Sequence, residues 1–231
     1  MKHYQHIFFD LDRTLYDFDK SNRETLQKIY QMAGENLTNG YPGFAEFYEV
    51  YKNINKGLWD LYKKQELTKQ ELNFKRFSDT LRTLGLDSSM AKALSEAYID
   101  LSPLQVHLIP GTTEILQYLY PKYQLHIITN GFAEIQYAKL HRTGLAKFFR
   151  HVIVSEEASA QKPDSRIFSY AFQITGANAG DTIVIGDDPH SDIYGGINAG
   201  VDQVWLYKPG ETSEFQPTYA ISDLLELKGI L

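Results

Sequence analysis

The chain has 231 residues, 43% of them apolar, enough for a sizeable core and for one larger domain with an insertion or a smaller partner. Acidic side chains outnumber basic ones by 29 to 23, for a formal charge of −6, and no basic stripe is present, so a nucleic-acid polymer is not an expected partner. Cysteine is absent, which excludes disulfides, thiolate catalysis and a cysteine-built zinc site. No secretory leader opens the chain and no window reaches the roughly 18 apolar residues of a membrane span, so a cytoplasmic protein with no membrane partner is expected.

HIFFD (6–10) is a short apolar run that reads as the first strand. The texture then changes to helical periodicity, with helices predicted over 21–36, 43–63, 69–84 and 88–101 and breaks near 40–42 and Gly85. Ser21 with Glu24, and Thr68 with Glu71, have capping-box spacing. No strand is expected between 19 and 101, which makes this stretch a helical insertion. Pro110–Gly111 turns the chain into a helix over 111–120, and strands then alternate with helices. The strands are 123–129, 151–155, 181–186 and 201–206; the helices are 132–143, 164–175, 190–199 and a last short one over 221–227. Such alternation implies an α/β domain, a mostly parallel sheet covered on both faces. Residues 1–15 and 105–231 therefore form one domain, interrupted by a helical domain over 16–104.

In open α/β sheets, ligands bind beyond the carboxyl ends of the strands, and there the polar residues accumulate. Asp10 and Asp12 follow the first strand, Thr129–Asn130–Gly131 closes the second, Lys162 follows the third, and Asp187, Asp188 and Asp192 follow the fourth. Any one of these has an ordinary reading as a cap, a turn or a solvated side chain. Four such groups at four strand exits of one sheet point to a site. Carboxylates converging from two strands suit a hard divalent cation, most naturally Mg2+. A lysine, a threonine hydroxyl and backbone N–H groups around a free carboxylate describe phosphoryl transfer with Asp as nucleophile. No GxxxxGK[ST] loop and no strand-following GxGxxG are present.

Four ordered motifs make the chain similar to the haloacid dehalogenase-like hydrolases over nearly its whole length: DLDRTLYD (10–17), IITNG (127–131), KPD (162–164) and GDDPHSD (186–192). The resemblance implies a Rossmann-like five-stranded parallel sheet of order 5-4-1-2-3, with a four-helix cap inserted after the first motif. It makes Asp10 the nucleophile and a Mg2+ ligand. Asp12 becomes the general acid and then the base, its backbone carbonyl on the metal. Thr129 and the backbone N–H of Asn130 would hold phosphoryl oxygens, and Lys162 would neutralise nucleophile and phosphate. Asp187 would bind the metal, with Asp188 and Asp192 in support. His190 reads as a helix-start or surface residue. True dehalogenases lack the second acid of the first motif, so Asp12 argues against that reaction. Arg13 replaces the usual glycine and is a candidate specificity residue facing the cap. Phe18, Trp59 and Tyr62, with Lys and Asn side chains near 52–56, are candidates for a substrate-facing surface. The bulky residue at 13, LYDF (15–18), TNG and the HSDIxGGxNAG run resemble bacterial pyrimidine 5'-nucleotidases more than phosphoglycolate phosphatases. The expected substrate is a small phosphomonoester, first a nucleoside 5'-monophosphate. The alternative is a sugar phosphate or phosphoglycolate, with a phosphomutase or a non-catalytic binding protein behind. Oligomeric state is not legible in the sequence.

Overall fold

The structure, a computed structural model, describes residues 3–34 and 42–231. They form two compact units, Met1–Phe18 with Val106–Leu231, and Asp19–Gln105.

In the first unit, β1 (His6–Phe9) is buried along its whole length, as expected of a strand covered on both faces. α1 (Phe18–Gly34), α2 (Phe44–Lys63), α3 (Lys69–Thr83) and α4 (Ala91–Leu101) follow, and among the described residues no strand interrupts them. The core of the second unit is aromatic and aliphatic: Leu26, Ile29, Phe47, Tyr51, Phe77, Leu94 and Tyr98. Tyr51 packs against Phe77 with ring centres 5.3 Å apart. The capping box at Thr68 forms: its hydroxyl accepts from the Glu71 N–H while the Glu71 carboxylate accepts from the Thr68 N–H. The one expected at Ser21 does not. α1 begins at Phe18, so Ser21 lies inside the helix, buried with its hydroxyl unpartnered among the described residues. The last residues of the first predicted helix, and most of the break near 40–42, lie outside the described residues.

The chain then returns through α5 (Thr112–Leu119), β2 (Gln124–Thr129), α6 (Ala133–Arg142), β3 (His151–Val154), α7 (Ser155–Ala158), α8 (Ser165–Thr175), β4 (Thr182–Gly186), α9 (Tyr194–Asn198), β5 (Asp202–Leu206) and β6 (Tyr219–Ile221). The strands pair in parallel in the order β3-β2-β1-β4-β5-β6. The expected order 5-4-1-2-3 is contained in this sheet, and a sixth strand extends it beyond β5. The helix predicted over 221–227 is corrected accordingly. Tyr219–Ile221 pairs with Val204–Leu206, and Asp223 then caps a 3₁₀ turn over Leu224–Gly229. The helix predicted over 190–199 is likewise split, into a wide turn over Pro189–Ile193 and the short α9.

One sheet face, bearing Ile7, Phe9, Ile127 and Ile185, packs on Ile115 and Leu119 of α5 and Leu140 of α6. The other, bearing Phe8, Ile128 and Val184, packs on Ile167, Phe168 and Ala171 of α8. Burying each such side chain contributes roughly 1.5–3 kcal/mol. With both faces sealed, polar side chains at the carboxyl ends of the strands converge on one edge. Among the described residues no helix is long and apolar enough to cross a membrane.

Candidate active site

β1 delivers Asp10 to that edge: the Asp10 N–H still bonds the Ile185 carbonyl at 2.9 Å, so the ladder with β4 holds its backbone. Asp187 follows β4 directly, and its backbone carbonyl accepts from the Trp205 indole of β5 at 2.9 Å. Asp192 folds back beneath Gly186. A Cβ at 186 would lie 2.1 Å from the Asp192 carboxylate, so this position has room only for glycine. Carboxylate oxygens of Asp10, Asp187 and Asp192 lie within 4.8 Å of one another. Lys162 enters from the loop between α7 and α8 and is almost fully buried. Its ammonium donates to Asp10 at 2.7 Å, Asp192 at 2.6 Å and the Ile128 carbonyl at 2.8 Å.

Three carboxylates against one ammonium leave the cluster short of positive charge. Burial pushes the Asp10 carboxyl up to about 7; Lys162 opposes this and Asp192 adds to it. Asp187 is raised well above the carboxylate range, by burial first and then by Asp10 and Asp192, with Arg13 opposing. Asp192 is raised by burial against the pull of Lys162. Burial would lower the Lys162 ammonium, but the charges of Asp10 and Asp192 outweigh it and raise it. An oxygen-rich cluster with this charge deficit fits a hard divalent cation, whose charge would restore the ionised form of all three acids. Asp10, Asp187 and Asp192 are side chains that could hold it.

Asp12 lies apart from that cluster. Its two carboxylate oxygens are held separately, by the Lys139 ammonium at 2.5 Å and the Gln136 amide at 2.9 Å. The Thr129 hydroxyl accepts from the Gly131 N–H at 3.1 Å and reaches the Gln136 carbonyl oxygen at 3.5 Å. A Cβ at 131 would run into the Gln136 amide, so a side chain there would displace that amide. The Asn130 side chain closes a two-way clamp on Lys162: it donates to the Lys162 carbonyl at 2.9 Å and accepts from the Lys162 N–H at 2.8 Å. Sequence reasoning had singled out only the backbone of Asn130. Asp188 is outside the three-acid cluster. Its carboxylate caps the following turn, accepting from the N–H groups of His190 and Ser191 at 2.8 and 3.0 Å, and its own N–H donates to Asp192 at 3.1 Å. His190 is exposed and stacks on Tyr194 at 5.6 Å. Arg13 is exposed, adopts the left-handed φ of 66° that favours glycine, and lays its guanidinium 4.7 Å over the Phe18 ring. Thr14 donates to Asp187 at 3.3 Å. In the second unit, Trp59 and Tyr62 are half-buried and meet edge to face at 5.5 Å.

Gln136, Lys139 and Trp205 escaped the sequence reading. The first two lie three residues apart on α6, and their polar character in a helix reads as solvated. The only hint is that this helix opens at the site edge.

The family profile of the haloacid dehalogenase-like hydrolases matches residues 7–206. The chain is 34% identical to the HAD-hydrolase YfnB of Bacillus subtilis, over 100% of this chain and 97% of that one. It is 33% identical to the pyrimidine 5'-nucleotidase YjjG of Escherichia coli, over 97% and 96%. It is 32% identical to the pyrimidine 5'-nucleotidase PynA of Streptococcus pneumoniae, over 96% and 94%. The solved structure of YfnB, described as bound to magnesium, superposes with a TM-score of 0.89 at 33% identity, covering 100% of this chain and 99% of that one. With the profile spanning most of its length and relatives above 30% identity spanning all of it, the chain belongs to the haloacid dehalogenase-like hydrolase family.

Proposed function

We propose that the protein is a Mg2+-dependent phosphomonoester hydrolase that works through an aspartyl-phosphate and acts on nucleoside 5'-monophosphates. The observation that carries this reading is the pair Asp10 and Asp192 on the buried ammonium of Lys162, with the half-buried Asp187 within 4.8 Å of both. It sets three acids against one ammonium, in a site that still wants positive charge. A magnesium ion held by Asp10 and Asp187, with Asp192 in support and the Asp12 carbonyl as a further donor, would supply electrostatic stabilisation of the phosphoryl oxygens.

The chain's own residues do the rest. Lys162 neutralises the Asp10 carboxylate and the approaching dianion. The Thr129 hydroxyl gives up its long contact to Gln136 and donates to a phosphoryl oxygen, as does the Asn130 N–H. An Asp10 oxygen forms a bond to phosphorus as the ester P–O bond breaks, and Asp12 passes its proton to the departing alcohol oxygen. Asp12, now ionised, takes a proton from water. The water oxygen bonds to phosphorus, the acyl phosphate bond breaks, and phosphate and the Asp10 carboxylate are released. In this reading the helical unit Asp19–Gln105 serves as the cap, Arg13 bears on specificity, and Asp188 supports the loop that carries Asp192.

The nucleotide preference rests on likeness to YjjG and PynA, which carry that activity in their names. A phosphate-release screen with Mg2+ across nucleoside monophosphates, sugar phosphates and phosphoglycolate tests it. Pyrimidine monophosphates are expected to lead. Equal rates across esters would remove the nucleotide preference, and inertness toward all of them would remove the phosphatase reading.

A further inference from the structure

We infer that Gln136 and Lys139 are positioning residues for Asp12, which hold its carboxylate at both oxygens and tie it to the phosphate-side hydroxyl of Thr129. The inference rests on the phosphatase reading and deepens it.

Lys139 is an unusual residue to bury. Its side chain is 4% exposed, and a buried ammonium is costly unless it is paired and held. It is held on several sides. Asp12 accepts from it at 2.5 Å, and the ammonium lies 4.6 Å from the Tyr16 ring centre and 5.3 Å from that of Phe18. Tyr16 and Phe18 belong to the same turn that carries Asp12. Within that turn the Arg13 N–H and the Phe18 N–H both donate to the Tyr16 carbonyl at 2.8 Å. α6 is itself anchored at its start, where the Ala133 N–H donates to Glu156 at 2.7 Å. Packing alone would be served by an aliphatic side chain at 139.

Gln136 lies three residues before Lys139, on the same helical face. The carboxylate of Asp12 requires a donor, so the amide NH₂ of Gln136 faces it and the amide oxygen faces Thr129. That leaves the Thr129 hydroxyl donating across 3.5 Å, a bond long enough to be exchanged for a phosphoryl oxygen at little cost. One amide thus orients two groups. It fixes where Asp12 meets the leaving oxygen and where the Thr129 proton waits. Neither residue touches the reacting atoms, and both act through Asp12 and Thr129.

The test exploits leaving groups. An alkyl ester such as UMP needs an acid to protonate its departing oxygen, whereas p-nitrophenolate leaves without one. The chain is assayed with Mg2+ on both esters, alongside Lys139→Met, Gln136→Met and Asp12→Asn, and kcat/KM is compared because it covers the steps through departure of the leaving group. If the two residues position Asp12, each Met variant loses at least about tenfold more on UMP than on p-nitrophenyl phosphate, in the same direction as Asp12→Asn. Equal losses on the two esters, or no loss on either, with unchanged circular dichroism, would overturn the inference and leave the phosphatase reading intact. If Lys139→Met does not fold, Gln136→Met, which removes no charge, decides the matter by the same ratio. An unmutated chain inert on both esters overturns the phosphatase reading and this inference with it.

Discussion

The two ends of the parallel sheet bury titratable groups in opposite ways. At the carboxyl end, Asp10 and Asp192 meet Lys162 within 2.7 Å, and Asp187 lies within 4.8 Å of both acids. Toward the amino end, His6, His126 and His151 stack across β1, β2 and β3, with neighbouring ring centres 5.4 and 5.5 Å apart. His126 is fully buried, its Nε2 3.1 Å from Nδ1 of His6. Burial, then the neighbouring His6 and His151 and Arg150, lowers its imidazole to about 3, and burial also lowers His6. The same sheet therefore keeps charge at one end and excludes it at the other. Burial penalises charge at both ends. Only where acids from separate strands face a lysine, with room for a cation, can the charged forms persist.

Asp10→Asn should break the comparison most completely. Turnover in a phosphate-release assay is expected to fall by at least about 10⁴-fold, as for loss of a nucleophile. The unfolding midpoint should hold or rise, because one of three crowded acids is removed. Substantial residual hydrolysis would end the claim that Asp10 is the attacking group. Lys162→Met should cost both activity and stability. It leaves Asp10 and Asp192 facing each other unpaired, a loss of about 3–5 kcal/mol by urea unfolding. A variant as stable as the parent would mean that these acids simply bind protons instead.

Metal should act on one end alone. Chelation with EDTA should abolish hydrolysis, and Mg2+ should restore it. Titrated Mg2+ should stabilise the unmutated chain by about 2.7 kcal/mol at a hundredfold excess over its Kd. No Mg2+-dependent gain in melting temperature in the absence of substrate would count against the three-acid cluster as its site.

Acid should separate the ends most subtly. The imidazole of His126 takes a proton near 6.5 when unfolded but only near 3 when folded. The unfolded chain therefore binds more protons between those values, and stability is lost as pH drops across that window, by up to about 1.4 kcal/mol per pH unit. Asp10 has the opposite sign in metal-free protein. Its folded value near 7 exceeds the unfolded one near 3.8, so protonation stabilises the fold as pH drops from 7 toward 4. The two trends offset one another in EDTA. His126→Phe should uncover the second, and urea midpoints should then rise on mild acidification. An unchanged pH profile in this variant would mean that the histidine stack does not sense acid.

Much of the site was legible because three of its groups stand at the end of a strand or directly after it. Asp10, Thr129 and Asp187 are placed by the alternation of strand and helix, and Lys162 and Asp192 lie on short loops that can go nowhere else. The capping box at Thr68 was legible for the same local reason, since both partners lie within one turn. The one expected at Ser21 failed because the chain becomes helical three residues sooner, straight out of the turn around Tyr16. β6 was missed because three residues carry no period, and it exists only through its pairing with β5.

The sequence by itself determined the parallel sheet, the helical insertion and the convergence of Asp10, Thr129, Lys162 and Asp187 on one edge. Those follow from hydrophobic period and chain connectivity. Only the tertiary structure decided that Asn130 clamps the Lys162 backbone with its side chain, that Asp188 caps a turn, and that Gln136 and Lys139 hold Asp12. Each of these is a contact between side chains and groups brought together by packing. Whether a buried polar group is stable depends on what faces it across that packing, which no local pattern encodes.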